Sequence, residues 1–357
     1  MPELALSVRG LAKTYGSVTA LSTVDLEVHK GERFCVLGPS GSGKTTLLRL
    51  VAGFEPADRG SVSLAGRPVD GLPPERRNLG VVFQEYALFP HRSVADNIGF
   101  GLKVRRTAPA ALRARVAEML ALVRLDGLAD RRPDQLSGGQ RQRVAIARAL
   151  ATGPDVLLLD EPMANLDRRL RETLNEELTR IQRELGVTVV LVTHDQEEAL
   201  GLADRIAVMD EGRVAQVGTP VEIYRQPRTA FVARFVGDIN LCPVRWTAAG
   251  TPVLVGLEQP IRPAGPEQPV CPAWATAGLN GSTVACIRPE ALALRPGGPG
   301  VISSRLFGGD ATTYRVELPS GPTLLVRESG ADGTPRHEVG ARVAVALRDV
   351  SCTLLPA

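Results

Sequence analysis

Residues Gly38–Thr45 read G-P-S-G-S-G-K-T, and few stretches of that length restrict a fold so tightly. Glycines at 38, 41 and 43 let the backbone curl so that successive N–H groups point inward, a geometry that cradles phosphate oxygens. The apolar run Arg33–Leu37 enters the loop as a strand, and Thr45–Gly53 leaves it as a helix with Leu47, Leu48 and Val51 on one face. The positive end of that helix faces the same anion. In a loop of this kind Lys44 reaches the β- and γ-phosphates and the Thr45 hydroxyl ligates Mg²⁺; Gly38, Pro39, Ser40, Gly41, Ser42, Gly43 and Thr46 complete the cradle. Average residue usage produces the pattern by chance in roughly one such chain in a hundred, so a phosphate site is expected.

Three further apolar runs end abruptly in polar residues. Gly80–Phe83 ends at Gln84, Val156–Leu159 at Asp160, and Thr188–Val192 at Thr193 and His194. Such runs suit strands buried on both faces of a parallel sheet, whose ligands bind beyond the carboxyl ends of the strands. Asp160 is then the expected Mg²⁺ partner of Thr45, through water. Glu161 stands where a general base polarises an attacking water, and the Gln84 amide can ligate Mg²⁺ or hold water. Between Gln84 and Asp160 the pattern turns helical at Ala110–Leu125 and Gln140–Ala151, and again at Leu170–Leu185 and Gln196–Leu202. Leu136–Gln140, L-S-G-G-Q, reads as a loop opening a helix, an end that favours anions.

The order and spacing of these motifs resemble the ATP-binding subunit of ABC transporters over residues 1–240. The resemblance implies an α/β P-loop NTPase domain, a mostly parallel sheet with a helical subdomain, acting on ATP with Mg²⁺. It implies that Ser137, Gly138, Gly139 and Gln140 serve the γ-phosphate of a second copy, two chains enclosing two nucleotides head to tail. Arg141–Leu150 completes the family's signature helix almost in full. His194 matches the family's switch histidine, and Asp167, in Ala164-Asn165-Leu166-Asp167, its D-loop. Tyr15 is the candidate for stacking on adenine, with a core tyrosine as the rival reading. Glu85–Pro90, E-Y-A-L-F-P, is expected to expose aromatic and apolar side chains, and in the family this segment meets the transmembrane subunit. Glu85 stands where serine is usual, and Met163-Ala164 where leucine and serine are.

Composition narrows the setting. The net charge of +3, from 42 basic and 39 acidic residues in 357, offers no basic face for nucleic acid. Lysine occurs only at 13, 30, 44 and 103, the remaining basic residues being arginine. Cys35, Cys242, Cys271, Cys286 and Cys352 show no C-x-x-C pairing, which suits buried thiols in a reducing compartment. Met1–Gly10 lacks the pattern of a signal peptide, and no apolar run reaches about 18 residues. The family resemblance then implies a place at the cytoplasmic face of the inner membrane, held peripherally through two integral-membrane permease subunits and, indirectly, a solute-binding protein.

After Phe235–Asn240 the composition changes. Pro252–Gly300 is rich in proline and glycine, and Thr312–Leu318, Thr323–Arg327 and Arg342–Leu347 then alternate as strands, with a turn at Pro319–Pro322. A small all-β domain is expected over residues 241–357. Its Arg288-Pro289-Glu290 and F-G-G-D at Phe307–Asp310 resemble the transport-associated OB-like domain of importer ATPases. Phe235–Asn240 and this domain look most like spermidine/putrescine importers; importers of ferric iron, 2-aminoethylphosphonate or sugars share much of the pattern. A soluble ABC ATPase acting on ribosomes or DNA would carry paired ATPase units or long helical insertions, and neither is visible. A P-loop GTPase would want N-K-x-D, and no lysine here follows asparagine.

Overall fold

The computed structural model describes residues 3–164, 167–263, 283–319, 321–329, 336–349 and 351–356, with the side chains of 168 and 169 left aside. Asn165, Leu166, Cys271 and the centre of the Pro319–Pro322 turn lie outside those residues. The chain forms two compact units, Met1–Pro220 and Val221–Ala357.

The first unit is built on ten strands: β1 (Leu4–Tyr15), β2 (Val18–His29), β3 (Arg33–Leu37), β4 (Arg59–Leu64), β5 (Arg67–Pro68), β6 (Leu79–Val82), β7 (Val156–Asp160), β8 (Thr188–Thr193), β9 (Arg205–Asp210) and β10 (Arg213–Gly218). Their spatial order is β5-β4-β1-β2-β10-β9-β3-β8-β7-β6. The five strands from β9 to β6 run parallel, and the β1, β2 and β4 side is antiparallel. Every residue of β8 is buried, as a central strand covered on both faces requires. Helix α1 (Lys44–Ala52) lays Leu47, Leu48 and Val51 onto Phe34, Val36, Leu158 and Val190. Each such side chain contributes on the order of 2 kcal/mol by leaving water. Helices α2 (Val94–Val104), α3 (Pro109–Leu122) and α4 (Gly138–Ala151) fall between β6 and β7; α5 (Arg168–Leu185) leads to β8, and α6 (Gln196–Leu202) leaves it.

The second unit begins with α7 (Pro220–Arg225) and α8 (Ala230–Phe235) and continues as strands β11 (Asn240–Trp246), β12 (Pro252–Leu254), β13 (Arg262–Pro263), β14 (Thr283–Ile287), β15 (Leu292–Phe307), β16 (Ala311–Glu317), β17 (Leu324–Ser329), β18 (Arg342–Leu347) and β19 (Ser351–Pro356). They form two sheets, β12-β11-β14-β19-β13 and β17-β16-β15-β18. Ile287, Leu292, Tyr314, Val326 and Val343 share the core. This is the all-β OB-like domain the sequence leads one to expect. Its Pro/Gly-rich stretch nevertheless holds the long strand β15, which crosses Pro296–Gly300 by an irregularity in its pairing with β18. Gly298 has φ 150° and approaches Ala344 so closely that a Cβ would stand 2.6 Å from its nitrogen. Cys242, Cys286 and Cys352 are buried free thiols whose pKa values burial pushes up to about 12, 11 and 12.

The boundary falls at Pro220/Val221 instead of after Asn240. One guanidinium explains the shift. Arg288 donates to the carbonyls of Tyr224 (2.8 and 3.1 Å), Ala233 (3.1 Å), Gly237 (3.0 Å) and Asp238 (3.0 Å) and stacks 4.0 Å from the Tyr224 ring. The two short helices are thereby bonded to the β domain. Burial lowers the Arg288 pKa and, with the Glu290 hydrogen bond, pushes Tyr224 up to about 12. Arg288→Ala is expected to destabilise this unit by about 3 kcal/mol, because four carbonyls lose a buried donor. Arg288→Lys should recover less than half, since an ammonium cannot reproduce the planar fork. Trp246 and Trp274 are the chain's two tryptophans, so thermal unfolding followed by tryptophan fluorescence reports on this unit directly.

Candidate active site

The loop from Gly38 to Gly43 joins β3 to α1, and two of its glycines, Gly38 and Gly43, are required by space. A Cβ at Gly38 would stand 2.6 Å from the Met209 carbonyl and the Ser42 hydroxyl; one at Gly43, where φ is 98°, would stand 2.5 Å from the Ala20 carbonyl. Lys44 opens α1 and is only 5% exposed. Its ammonium donates to the carbonyls of Gly38 (2.8 Å) and Pro39 (2.9 Å). Burial lowers its pKa, opposed by the charges of Glu161 and Asp160. Ser40, Gly41 and Thr45 are exposed, Pro39 and Thr46 half-buried. The Ser42 hydroxyl is buried with no hydrogen-bond partner among the described residues.

The neighbouring strands deliver the acids. Asp160 ends β7 and pairs in register with Val192 of β8. Its Oδ1 is buried without a partner among the described residues, and burial followed by the Glu161 charge raises its pKa. Glu161 takes a left-handed backbone (φ 44°), its N–H donating to the Val192 carbonyl at 2.9 Å. Its Oε1 lies 3.0 Å from Nδ1 of His194, one residue past β8. The structure thus brings Lys44, Asp160, Glu161 and His194 together. No cluster of three or more His, Cys, Asp or Glu side chains able to hold a metal occurs among the described residues. An orphaned buried carboxylate oxygen fits a hard cation that takes its remaining oxygens from phosphate and water.

Gln84 and Glu85 are exposed just beyond β6. The expectation that Glu85–Pro90 displays its aromatic side chains is corrected. Tyr86 is buried, and Phe89 is half-buried against Phe100 (centroids 4.5 Å apart) and under Arg92 and Arg148. Asn97 pairs with the N–H and carbonyl of Phe89 (2.9 and 3.2 Å). Tyr86 and Ala87 have φ of 63° and 48°, and Arg148 of α4 donates to both carbonyls (2.9 and 2.6 Å).

Ser137 caps α4 in a reciprocal box: its hydroxyl accepts from the Gln140 N–H (3.3 Å), and Gln140 Oε1 accepts from the Ser137 N–H (2.9 Å). Gly138 and Gly139 supply the first-turn amides, which have no carbonyl partner inside the helix. No hydrogen bond or ion pair among the described residues joins this turn to Lys44, Asp160 or Glu161. Asp167 caps α5 by accepting from the Leu170 N–H at 2.9 Å. Met163 is buried, and its sulfur receives the Gln142 amide at 3.4 Å. Tyr15 ends β1 and is 43% exposed, so it is not a core residue. Its hydroxyl donates to Glu55, and that bond raises its pKa.

Sequence reasoning missed three residues of this neighbourhood. Glu55 and Arg148 carry no local signal, since their partners lie far along the chain. Glu198 stands three residues after Asp195, a capping-box spacing, yet its carboxylate turns inward to Thr193.

A phosphate-binding loop at the carboxyl end of a parallel sheet, with a carboxylate pair and a histidine beside it, defines a nucleotide-hydrolysing cassette. The ABC transporter family profile matches residues 21–164, and a TOBE domain profile matches residues 285–355. The chain is 45% identical to a spermidine/putrescine import ATP-binding protein of Pseudomonas fluorescens, over 99% of each chain. It is 44% identical to one of Thermobifida fusca, over 99% of this chain and 94% of that one. A sulfate/thiosulfate import ATP-binding protein of Chromobacterium violaceum is 56% identical over 238 residues, covering 67% and 65%. Among solved structures, cbiO1 of Clostridium perfringens, part of the ABC transporter complex cbiONQ, superposes with a TM-score of 0.58 at 32% identity, over 62% of this chain and 90% of that one. A dimeric ATP-binding cassette in a post-hydrolysis state with ADP and Pi gives 0.55 at 33%, over 60% and 98%. The chain belongs to the ABC transporter family, as one of its ATP-hydrolysing cassettes.

Arg148 makes a checkable claim about the loop after Gln84. Replacing it by alanine removes the donor on two carbonyls held in left-handed geometry. Amides 84–92 should then exchange hydrogen at least about tenfold faster, while those of β7 and β8 stay protected in the same mass-spectrometric experiment.

Proposed function

We propose that this chain is the ATP-hydrolysing subunit of a bacterial importer that takes up spermidine and putrescine. The observation that carries the catalytic part is the Glu161 carboxylate, 3.0 Å from His194 and beside the buried Lys44 ammonium, at the ends of adjacent parallel strands. Lys44 exchanges the carbonyls of Gly38 and Pro39 for β- and γ-phosphate oxygens, and the loop amides of residues 38–46 complete the cradle. Tyr15, exposed beside this loop, stacks on adenine. Mg²⁺ is held by Thr45, Asp160 and Gln84, and supplies charge neutralisation on the phosphate oxygens. Glu161 orients and deprotonates the attacking water, and His194 contacts the γ-phosphate and keeps Glu161 aimed.

The Gly138 and Gly139 amides, with Ser137 and Gln140, complete the pocket of a second copy, so the working unit is a homodimer; Asp167 lies between the two sites. The Gln84–Pro90 loop contacts two membrane permease subunits at the cytoplasmic face, and a solute-binding protein delivers the cargo to them. No helix among the described residues is long and apolar enough to cross a membrane, which suits peripheral attachment.

Polyamine is favoured because relatives of that name match across both units. The higher identity to a sulfate/thiosulfate protein covers only about two thirds of the chain and supports a second reading. Uptake of labelled spermidine in cells lacking the gene, with and without its restoration, decides between them; restored sulfate uptake with unchanged spermidine uptake would reverse the order.

Glu161→Gln should bind ATP yet hydrolyse it at least about a hundredfold slower, with the dimer accumulating in size-exclusion chromatography. Normal turnover in that variant would remove Glu161 as the base. Lys44→Ala should abolish tight binding of a fluorescent ATP analogue, with circular dichroism unchanged.

A further inference from the structure

Behind Glu161 and His194 lies a small cleft of about 70 Å³, lined by both residues together with Met163, Thr193, Asp195 and Glu198. Glu198, on α6, is a buried acid there that the catalytic reading leaves without a task. It is 5% exposed, its Oε2 accepts from the Thr193 hydroxyl at 2.5 Å, and its Oε1 is buried with no partner among the described residues. The same Thr193 hydroxyl accepts from the Asp195 N–H at 3.0 Å. Asp195 in turn accepts from the N–H groups of Glu197 and Glu198 and pairs with Arg171 of α5 at 2.7 Å. Both residues flanking His194 are thus tied, through one hydroxyl, to the Glu198 carboxylate.

We propose that Glu198 is a positioning residue for His194, holding through Thr193 the turn that aims the imidazole at Glu161. This rests on the role given to His194 above. The arrangement is costly in a way a merely structural acid is not. A carboxylate oxygen buried without a donor favours the protonated form, and burial raises the Glu198 pKa to about 7. Thr193 opposes that shift by its hydrogen bond, Asp195 adds to it, and Arg171 and His194 reduce it; Cys35 of β3 also faces the group. The folded pKa lies above the unfolded one, so the stability contributed by the neutral acid is present at low pH and is lost as pH rises through about 7. The ionised form accepts the stronger, charge-assisted bond from Thr193 and holds the turn more firmly. The chain gives up stability above pH 7 to fix the histidine.

The test is ATP turnover and thermal unfolding of the full-length chain from pH 6 to pH 8. At pH 8 Glu198→Gln should lower kcat about tenfold, with KM for ATP within about twofold, and yet melt at a higher temperature than the wild type. At pH 6, where the folded-state acid is mostly neutral, the two rates should converge, while the gap in melting temperature narrows without closing. In a Thr193→Val background, which severs the link while keeping the side-chain shape, Glu198→Gln should cause no further loss. A rate ratio between Glu198→Gln and wild type that stays flat from pH 6 to pH 8 would overturn the role of Glu198. Wild-type turnover in His194→Ala would instead overturn the switch reading of His194 itself, so the two failures are distinguishable.

Discussion

A lysine side chain that is 5% exposed can keep its charge only if the surrounding chain is arranged for it, and here the arrangement is the proposed active site. The Lys44 ammonium is satisfied by two carbonyls of its own loop and favoured by the nearby negative charges of Glu161 and Asp160 against the cost of burial. Asp160 is perturbed in turn, its pKa raised by burial. What forces the three groups together is strand order. β3, β8, β7 and β6 are consecutive neighbours, all parallel, so their carboxyl ends lie in one row. The glycine loop leaves the first, Thr193 and His194 the second, Asp160 and Glu161 the third, and Gln84 follows the fourth.

That row was legible in the sequence because strands buried on both faces read as uninterrupted apolar runs, and each run stopped at a polar residue with chemistry to do. The glycine loop was legible because its spacing admits few other backbones. The exposure of Tyr86 and Phe89 was misread for the opposite reason. A loop's burial depends on what folds over it, and Arg148, Asn97 and Phe100 sit in helices the local pattern does not connect to it. The division of the two compact units at Pro220/Val221 was not legible for the same reason, since α7 and α8 join the β domain through Arg288, far along the chain. β15 escaped notice because proline and glycine suggest a break, whereas here they form an irregularity inside a strand.

The departures from the family pattern have structural consequences that can be read. Met163, in place of leucine, is buried and offers its sulfur to the Gln142 amide, so the signature helix gains a polar contact that leucine could not give. Nothing in the structure explains Ala164. Glu85 is exposed and adds a negative charge beside Gln84, on the surface proposed to meet a permease. A changed charge at a rim alters which partner docks and how fast more than it alters the chemistry behind it.

The strain at Glu161 ties these points together. A non-glycine residue at φ 44° costs on the order of 1–3 kcal/mol and persists only where its surroundings insist on it. The insistence comes from β8, whose Val192 carbonyl takes the Glu161 N–H, and from Pro162, which follows directly. With that left-handed backbone the carboxylate meets His194, just past the end of the neighbouring strand β8. Strain at 161, an uncompensated oxygen at 160 and a buried acid at 198 are three separate losses of stability within a few residues of one another in space. A fold under selection for stability alone would have removed each of them by a single substitution; all three stand around the position proposed for the attack of water on phosphate.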